Sequence, residues 1–327
     1  MQWKCGSYSF DTKMPIIMGI LNLTPDSFSD GGLYNETQVA LAHAREMIEQ
    51  GAHMVDVGGE STRPGSAPVT EEEELARVID VVRTLSEQGI CVSIDTRHAS
   101  VAQACVEAGA SIINDISGFR DPVMIQVAAN CDAGLVVMHM KGDEPATMQQ
   151  CAVYDDVVAE VRDYLRDQAR MLEEAGVDHD RICIDPGPGF GKTAQQTLDL
   201  VRNFQEFVHL GYPVMAAVSR KSYIGAKYQI EEASRRDIAS AAEALLACEQ
   251  GAHVFQLFRP GYDDGFRAQA GKGRRRPHDG GHAPQRQKDL ILLRPHPGAA
   301  ASAQDHRAGL HSPTLRSALV CASSSST

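Results

Sequence analysis

The sequence predicts an α/β protein, a (β/α)8 barrel of the TIM type, and three observations carry that expectation. Eight short apolar runs alternate with helical patterns through about the first 257 residues. The runs are apolar throughout rather than alternating, as parallel strands covered by helices must be. Asn22, Glu60, Asp95, Asn114, His139, Asp185 and Lys221 stand at or just past the ends of seven different runs. A barrel brings such dispersed strand ends to one face. A doubly wound open sheet, the runner-up, would gather its site at a single switch point.

The strands are expected at Ile16–Leu21, Met54–Val57, Cys91–Ile94, Ser111–Asn114, Leu135–Met138, Ile182–Ile184, Val214–Val218 and His253–Leu257. Helices are expected near 36–50, 71–88, 98–109, 121–131, 155–175, 194–209 and 235–250. Thr70-Glu-Glu-Glu73 has the spacing of a capping box ahead of the second helix. Gly51, Gly109, Gly176 and Gly251 follow helical patterns where a left-handed terminating residue belongs. The run Glu71–Glu74 places negative charge at a helix N-terminus, where the dipole favours it, and is not expected to bind metal.

No eighth helix follows. After Leu257 the text turns to Arg, Pro, His, Gly and Ser, without sustained helical or strand period. The expected organisation is a barrel over residues 1–257 and an aperiodic, disordered tail over 258–327. Charge divides at the same place. The net charge is −12, yet from Gln256 onward nine Arg and two Lys face five Asp, a balance of +6 that leaves −18 on the body.

An acidic body argues against a nucleic-acid partner. No apolar run approaches the roughly 20 residues of a membrane span, and Met1-Gln-Trp-Lys-Cys lacks the apolar stretch of a secretory signal. The expectation is a cytoplasmic protein without a membrane partner. The eight Cys show no C-x-x-C pair, so reduced, mostly buried thiols are expected.

Three glycine-studded phrases carry the chemistry: Asn22-Leu-Thr-Pro-Asp-Ser-Phe-Ser-Asp-Gly-Gly32, Gly58-Gly-Glu-Ser-Thr-Arg-Pro-Gly65 and Asp185-Pro-Gly-Pro-Gly-Phe-Gly-Lys192. Each follows a strand and sets polar side chains among residues that let the backbone turn sharply and approach a ligand. A carboxylate can accept two parallel N–H donors from an aminopyrimidinone edge, the edge of guanine-like and pterin rings. Asp95, Asn114 and Asp185 offer such groups from three strand ends, with Lys221 nearby in Ser219-Arg-Lys-Ser222. Any one of them alone reads as a helix cap or turn residue; together they read as a binding site.

These phrases resemble the motifs of the bacterial dihydropteroate synthases nearly letter for letter, from about Pro15 to Phe255. The resemblance implies a barrel that joins 6-hydroxymethyl-7,8-dihydropterin diphosphate to p-aminobenzoate, giving 7,8-dihydropteroate and pyrophosphate for folate biosynthesis. Asp95, Asn114, Met138, Asp185 and Lys221 would hold the pterin. Asn22, Thr62 and Arg63 would hold the diphosphate, Asn22 through Mg²⁺ as its metal ligand. Phe28, Thr62, Pro64, Phe190 and Ser222 would form the p-aminobenzoate slot, which is also the sulfonamide target. Asp30 and Lys221 would be catalytic, Asp30 by stabilising a transient pterin cation. His139 would be structural. A homodimer is implied.

One departure stands out. The family's eighth strand ends Arg-x-His-Asp, whereas Gln256, Phe258 and Arg259 occupy those places here. Motif, charge balance and periodicity are lost together, which looks like a shifted reading frame; a natural C-terminal extension is the other reading of the tail, but it does not explain the loss of the residues before it. Two other readings stay open: a methyltetrahydrofolate methyltransferase-like pterin barrel, and a damaged synthase that binds pterin without turnover.

Overall fold

Parallel pairing runs from strand to strand until the sheet meets itself in the computed structural model, which describes residues 1–24, 32–62 and 66–258. A hairpin of β1 (Gln2–Cys5) and β2 (Tyr8–Asp11) precedes the sheet. The barrel strands are β3 (Ile16–Asn22), β4 (Met54–Gly58), β5 (Val92–Asp95), β6 (Ile112–Asp115), β7 (Gly134–Met138), β8 (Ile182–Asp185), β9 (Met215–Ala216) and β10 (Val254–Leu257). Their order is β8-β7-β6-β5-β4-β3-β10-β9, all parallel. A parallel bridge between Ile184 and Val214, just before β9, closes the ring.

Nine α-helices lie among the described residues: α1 (Gly32–Glu49), α2 (Glu71–Glu87), α3 (Ala99–Glu107), α4 (Pro122–Ala129), α5 (Val157–Glu174), α6 (Ala194–Arg202), α7 (Phe204–Val208), α8 (Ser222–Tyr228) and α9 (Asp237–Glu249). Each long helix buries one stripe. In α5 Val157, Val161, Leu165, Ala169 and Leu172 recur every three or four residues and are buried, as an amphipathic helix on a sheet requires.

The strands divide the core in two. Outward-facing Ile17, Val55, Val57, Ile94, Ile113, Val137 and Ile184 pack under the helices. Inward-facing Met18, Met54, Cys91, Ile112, Val136, Cys183, Met215 and Val254 fill the barrel toward the N-terminal ends of the strands. The unanticipated hairpin belongs to that inner cluster: Trp3 is fully buried and its Nε1–H donates to the Arg181 carbonyl at 3.0 Å. The same inward rows change to Asp56, Asp95, Asn114 and Asp185 toward the C-terminal ends. The floor of the barrel is apolar and its mouth is ionisable.

Several expectations need correction. The helix expected over 194–209 is two helices, α6 and α7, parted at Asn203, whose Nδ2 donates to the Asp199 carbonyl at 2.7 Å. The strand expected at Val214–Val218 forms ladder pairs only at Met215–Ala216. Helix α8 had no counterpart in the expected set. The capping box at Thr70 is half made. Thr70 Oγ1 accepts from the Glu73 N–H at 3.2 Å, but Glu73 turns its carboxylate to Arg77 at 2.5 Å. A reciprocal box forms instead at Thr193 and Gln196, ahead of α6. The tail from 259 onward, and with it any eighth helix, lies outside the described residues.

Candidate active site

One transverse row of the sheet carries three of the expected site residues. Asn22 on β3 pairs in register with Gly58, Gly58 with Asp95, and Asp95 with Asn114. Residues in register across parallel strands point to the same side, so Asn22, Asp95 and Asn114 all face the barrel mouth. Gly58 lies between them: a Cβ there would stand 3.5 Å from Asp95 Oδ2 and 3.7 Å from Asn22 Oδ1, in ordinary contact with both. Burial and the nearby Asp56 and Glu74 carboxylates hold the Asp95 carboxyl well above its usual range.

Asp185 ends β8 beside Met138 of β7. It is buried, and its Oδ1 accepts the Gly187 N–H at 2.8 Å. Burial pushes this carboxyl up to about 6 against that hydrogen bond and the pull of Lys221 and Lys192. Gly187 has φ 63°, and a Cβ there would collide with the His139 carbonyl oxygen, so only glycine lets the loop fold back on β7. Met138 packs with Ile116, Met140, Met148 and Phe190 in a small apolar cluster at the mouth.

Lys192, the last residue of the third phrase, holds that loop from inside. Its buried ammonium donates to the carbonyls of Phe190 (2.9 Å), Gly187 (3.0 Å) and His139 (3.1 Å), and meets His139 Nδ1 at 2.9 Å. Burial and Lys192 push His139 down to about 2, so its ring is neutral and its Nδ1 faces the lysine as a hydrogen-bond acceptor.

Lys221 enters from the turn before α8. Its Nζ lies 4.1 Å from the centre of the Phe190 ring. Burial lowers its pKa to about 8, opposed by Asp185 and Asp95, which places both carboxylates within its field. The turn is strained: Arg220 has φ 57°, a conformation L-residues seldom adopt. It is clamped there. The Arg220 N–H donates to Ser240 Oγ at 2.8 Å and its guanidinium grips Asp237 at 2.5 and 2.9 Å. Arg236 Nη1 also donates to the Arg220 carbonyl at 3.0 Å. Ser222, the first residue of α8, is exposed.

The second phrase is pinned at both roots. Glu60 takes Arg97 on Oε2 at 3.0 Å, and the Val69 N–H points at Oε1 at 3.4 Å. Glu74 departs from its neighbours in the acidic run: it is fully buried under Gly59 and bonded to His98 Nδ1 at 2.6 Å. Thr62 is half-buried where the described part of this loop ends. Phe28, Asp30, Arg63 and Pro64 lie outside the described residues.

These groups bring to the barrel mouth an apolar wall, two carboxyl groups, an amide and one ammonium. That chemistry suits a flat heterocycle carrying adjacent N–H donors. Residues 18–257 match the family described as pterin binding enzyme. The dihydropteroate synthase of Escherichia coli K12 is 43% identical over 250 residues, 76% of this chain and 88% of that protein. The chain belongs to the dihydropteroate synthase family. Solved structures of the Xanthomonas albilineans dihydropteroate synthase superpose closely. The one with 4-aminobenzoic acid has a TM-score of 0.79 at 39% identity, covering 84% of this chain and 99% of that one. The one with 7,8-dihydropteroate has a TM-score of 0.76 at 36% identity, covering 84% and 100%.

Within this synthase scaffold several residues carry structure around the site in roles that sequence reasoning did not assign: Asp56, Glu74 with His98, Lys192, the Arg220–Asp237 pair and Gln256. Asp56 left a signal, a carboxylate inside the strand run Met54-Val-Asp-Val57. The Arg220 clamp left none, because Asp237 and Ser240 lie seventeen and twenty residues away on α9. Among the described residues no group of three or more His, Cys, Asp or Glu is arranged to hold a metal, and no helix is long and apolar enough to cross a membrane.

Proposed function

We propose that this chain condenses 6-hydroxymethyl-7,8-dihydropterin diphosphate with p-aminobenzoate, and that Asp95, Asn114, Asp185 and Lys221 are its pterin contacts. The observation that carries this is the convergence of those four side chains at the barrel mouth above Met138 and beside Phe190. Asp185 has one oxygen committed to Gly187, leaving the other to accept from the ring's N–H edge. Lys221 donates to a ring acceptor, and Met138 packs on the ring face.

The reaction forms a C–N bond from the p-aminobenzoate amine to the pterin methylene carbon as the C–O bond to diphosphate breaks; the amine then loses a proton. No protein nucleophile is needed. What the site must supply is stabilisation of a transient pterin cation and of the departing diphosphate. Asp30 serves the cation, and Thr62 and Arg63 donate to phosphate oxygens. Phe28, Pro64 and Phe190 flank the p-aminobenzoate ring, and the exposed Ser222 hydroxyl meets its carboxylate.

Mg²⁺ fits the donors present. Asn22 offers one neutral oxygen at the mouth rather than a protein cage, as suits a hard cation that keeps its waters and rides on substrate phosphates. Bound there, it would supply positive charge to the leaving diphosphate. The family resemblance further supports a cytoplasmic homodimer and a sulfonamide-sensitive slot.

Gln256 and Phe258, where the family motif has Arg and His, favour a second reading: a chain that binds pterin but turns over weakly, with residues 258–327 translated from a shifted frame. Two experiments test these readings. Pyrophosphate release and 7,8-dihydropteroate formation should depend on both substrates and on Mg²⁺. Pterin binding with no product from p-aminobenzoate would support the second reading, and no pterin binding would overturn both. The gene's nucleotide sequence around codons 250–270 decides the origin of the tail.

A further inference from the structure

Asp56 occupies the middle of β4, faces into the barrel and is 2% exposed. Its Oδ2 accepts two hydrogen bonds from strands that do not adjoin β4: Asn114 Nδ2 of β6 at 3.0 Å and Gln256 Nε2 of β10 at 2.6 Å. The Ser93 hydroxyl, next in register, joins those two amides in stabilising the carboxylate. Burying a carboxylate is costly unless its hydrogen bonds repay it, and those bonds here fix two amide side chains inside the barrel.

We propose that Asp56 is a positioning residue which fixes the amide of Asn114, and through it the hydrogen-bond pattern offered to the ring. A carboxylate oxygen only accepts, so it binds the nitrogen end of the Asn114 amide. That leaves Asn114 Oδ1 as the free acceptor of the side chain. Without Asp56 the amide can turn over, presenting a donor where the ring also presents one. Gln256 completes the arrangement by the same logic. Its Nε2 is drawn to Asp56, which ties β10 to β6 through the barrel interior. This inference rests on Asn114 being a pterin contact, as proposed above.

The test compares Asp56→Leu and Asp56→Asn, singly and with Asn114→Ala, in the full chain. The readouts are calorimetric affinity for 6-hydroxymethylpterin and the melting temperature. Asp56→Leu, which removes both acceptors, should weaken binding about tenfold or more. Asp56→Asn keeps one carbonyl oxygen for both amides and should bind within about threefold of the native chain. In the Asn114→Ala background Asp56→Leu should cost no further affinity, because its effect runs through that side chain. Should Asp56→Leu fail to fold, Asp56→Ser, which keeps only a hydroxyl, takes its place with the same expected loss. Unchanged affinity with a lowered melting temperature would overturn the proposal and leave Asp56 a packing residue. A loss that persists in full without the Asn114 amide would overturn it too, because Asp56 would then touch the ligand itself. A native chain that binds no pterin would overturn the pterin reading first and this inference with it.

Discussion

Lys221 Nζ sits 4.1 Å from the centre of the Phe190 ring, joining the turn before α8 to the loop after β8. The two residues are 31 positions apart in the sequence and belong to the third phrase and to Ser219-Arg-Lys-Ser222. The contact links the ammonium assigned to the pterin with an aromatic wall assigned to p-aminobenzoate. Phe190→Leu keeps an apolar wall and removes the ring quadrupole that attracts the ammonium. An exposed cation–π pair contributes about 0.5–1 kcal/mol and a desolvated one about 2. The expected outcome is a several-fold rise in KM for p-aminobenzoate and weaker competitive inhibition by sulfonamides, with pterin affinity nearly unchanged. Steady-state kinetics with each substrate varied in turn checks it. Equal losses for both substrates would mean that Phe190 serves the whole mouth rather than the slot.

Asp185→Asn should separate binding from stability. The Gly187 N–H claims one oxygen at 2.8 Å, so in the variant the amide oxygen stays there and the amide nitrogen turns toward the ligand's N–H edge. Pterin affinity should fall by about 2–3 kcal/mol, as for a lost charged hydrogen bond. The ligand-free protein should gain. Burial raises the Asp185 pKa to about 6 from 3.8, so the folded state disfavours the charge. A group raised in this way contributes stability that is full below about 3.8 and is lost as pH rises through about 6. The amide escapes that loss, and the variant's melting temperature should exceed the native one at pH 8. Native pterin binding should itself be bell-shaped. It weakens below about 6 as Asp185 protonates, and above about 8 as Lys221 loses its proton. Calorimetry across pH checks both limbs.

The strands could be seen in the sequence because both of their faces are buried, which leaves unbroken runs such as Leu135-Val-Val-Met138. The site could be seen because its polar residues interrupt those runs at their ends. What escaped is whatever depends on distant partners. The hairpin at Gln2–Asp11 is too short and mixed for periodicity, and its purpose appears only when Trp3 meets the Arg181 carbonyl. Glu74 reads as one of four equivalent helix-cap acids until Gly59 and His98 bury it. Gln256 reads in the sequence as a missing arginine, and its bond to Asp56 emerges only in the fold.

Lys192→Met should show how much the third loop depends on its internal pin. Methionine fills similar space but leaves the Phe190, Gly187 and His139 carbonyls without their donor. Each buried, unsatisfied acceptor costs about 1–3 kcal/mol, moderated by removing the cost of burying the ammonium itself. A net loss of about 2–4 kcal/mol is expected in urea unfolding. The loop carries both Asp185 and Phe190, so affinities for pterin and p-aminobenzoate should fall together. Unchanged affinities in a destabilised protein would confine Lys192 to stability.

Arg220 tests the strained turn directly. At φ 57° a glycine is unstrained, whereas an alanine bears a steric cost of about 1 kcal/mol. Both substitutions lose the paired hydrogen bonds to Asp237. Arg220→Gly should therefore be more stable than Arg220→Ala by about that amount. The glycine should also retain more turnover, because it holds the backbone that aims Lys221. Chemical denaturation of the two variants side by side measures the difference. Equal stabilities would show that the turn relaxes to negative φ once the guanidinium is gone.

Gln256→Arg addresses the departure on β10. The Gln256 amide reaches only Oδ2 of Asp56, and burial holds the Asp56 carboxyl above its ordinary range. A guanidinium offers two parallel N–H donors and can meet both oxygens. Its charge would stabilise the carboxylate form and add a cation to the mouth where the diphosphate departs. Lost transition-state donors of this kind typically cost about 10²–10³ in rate each. Phe258, now 4.9 Å under the Arg220 guanidinium, holds the second vacated position. The full repair is Gln256→Arg, Phe258→His and Arg259→Asp, with an amphipathic helix in place of the following residues. It should raise pyrophosphate release by about 10² or more over the native chain. A final helix that buries its apolar stripe on the barrel should also raise its melting temperature. Gln256→Arg alone should recover part of the rate, since the ion pair with Asp56 needs no eighth helix. If the native chain already equals the repaired one in rate and melting temperature, Gln256 and the tail are a working alternative closure of the barrel, and the shifted-frame reading fails.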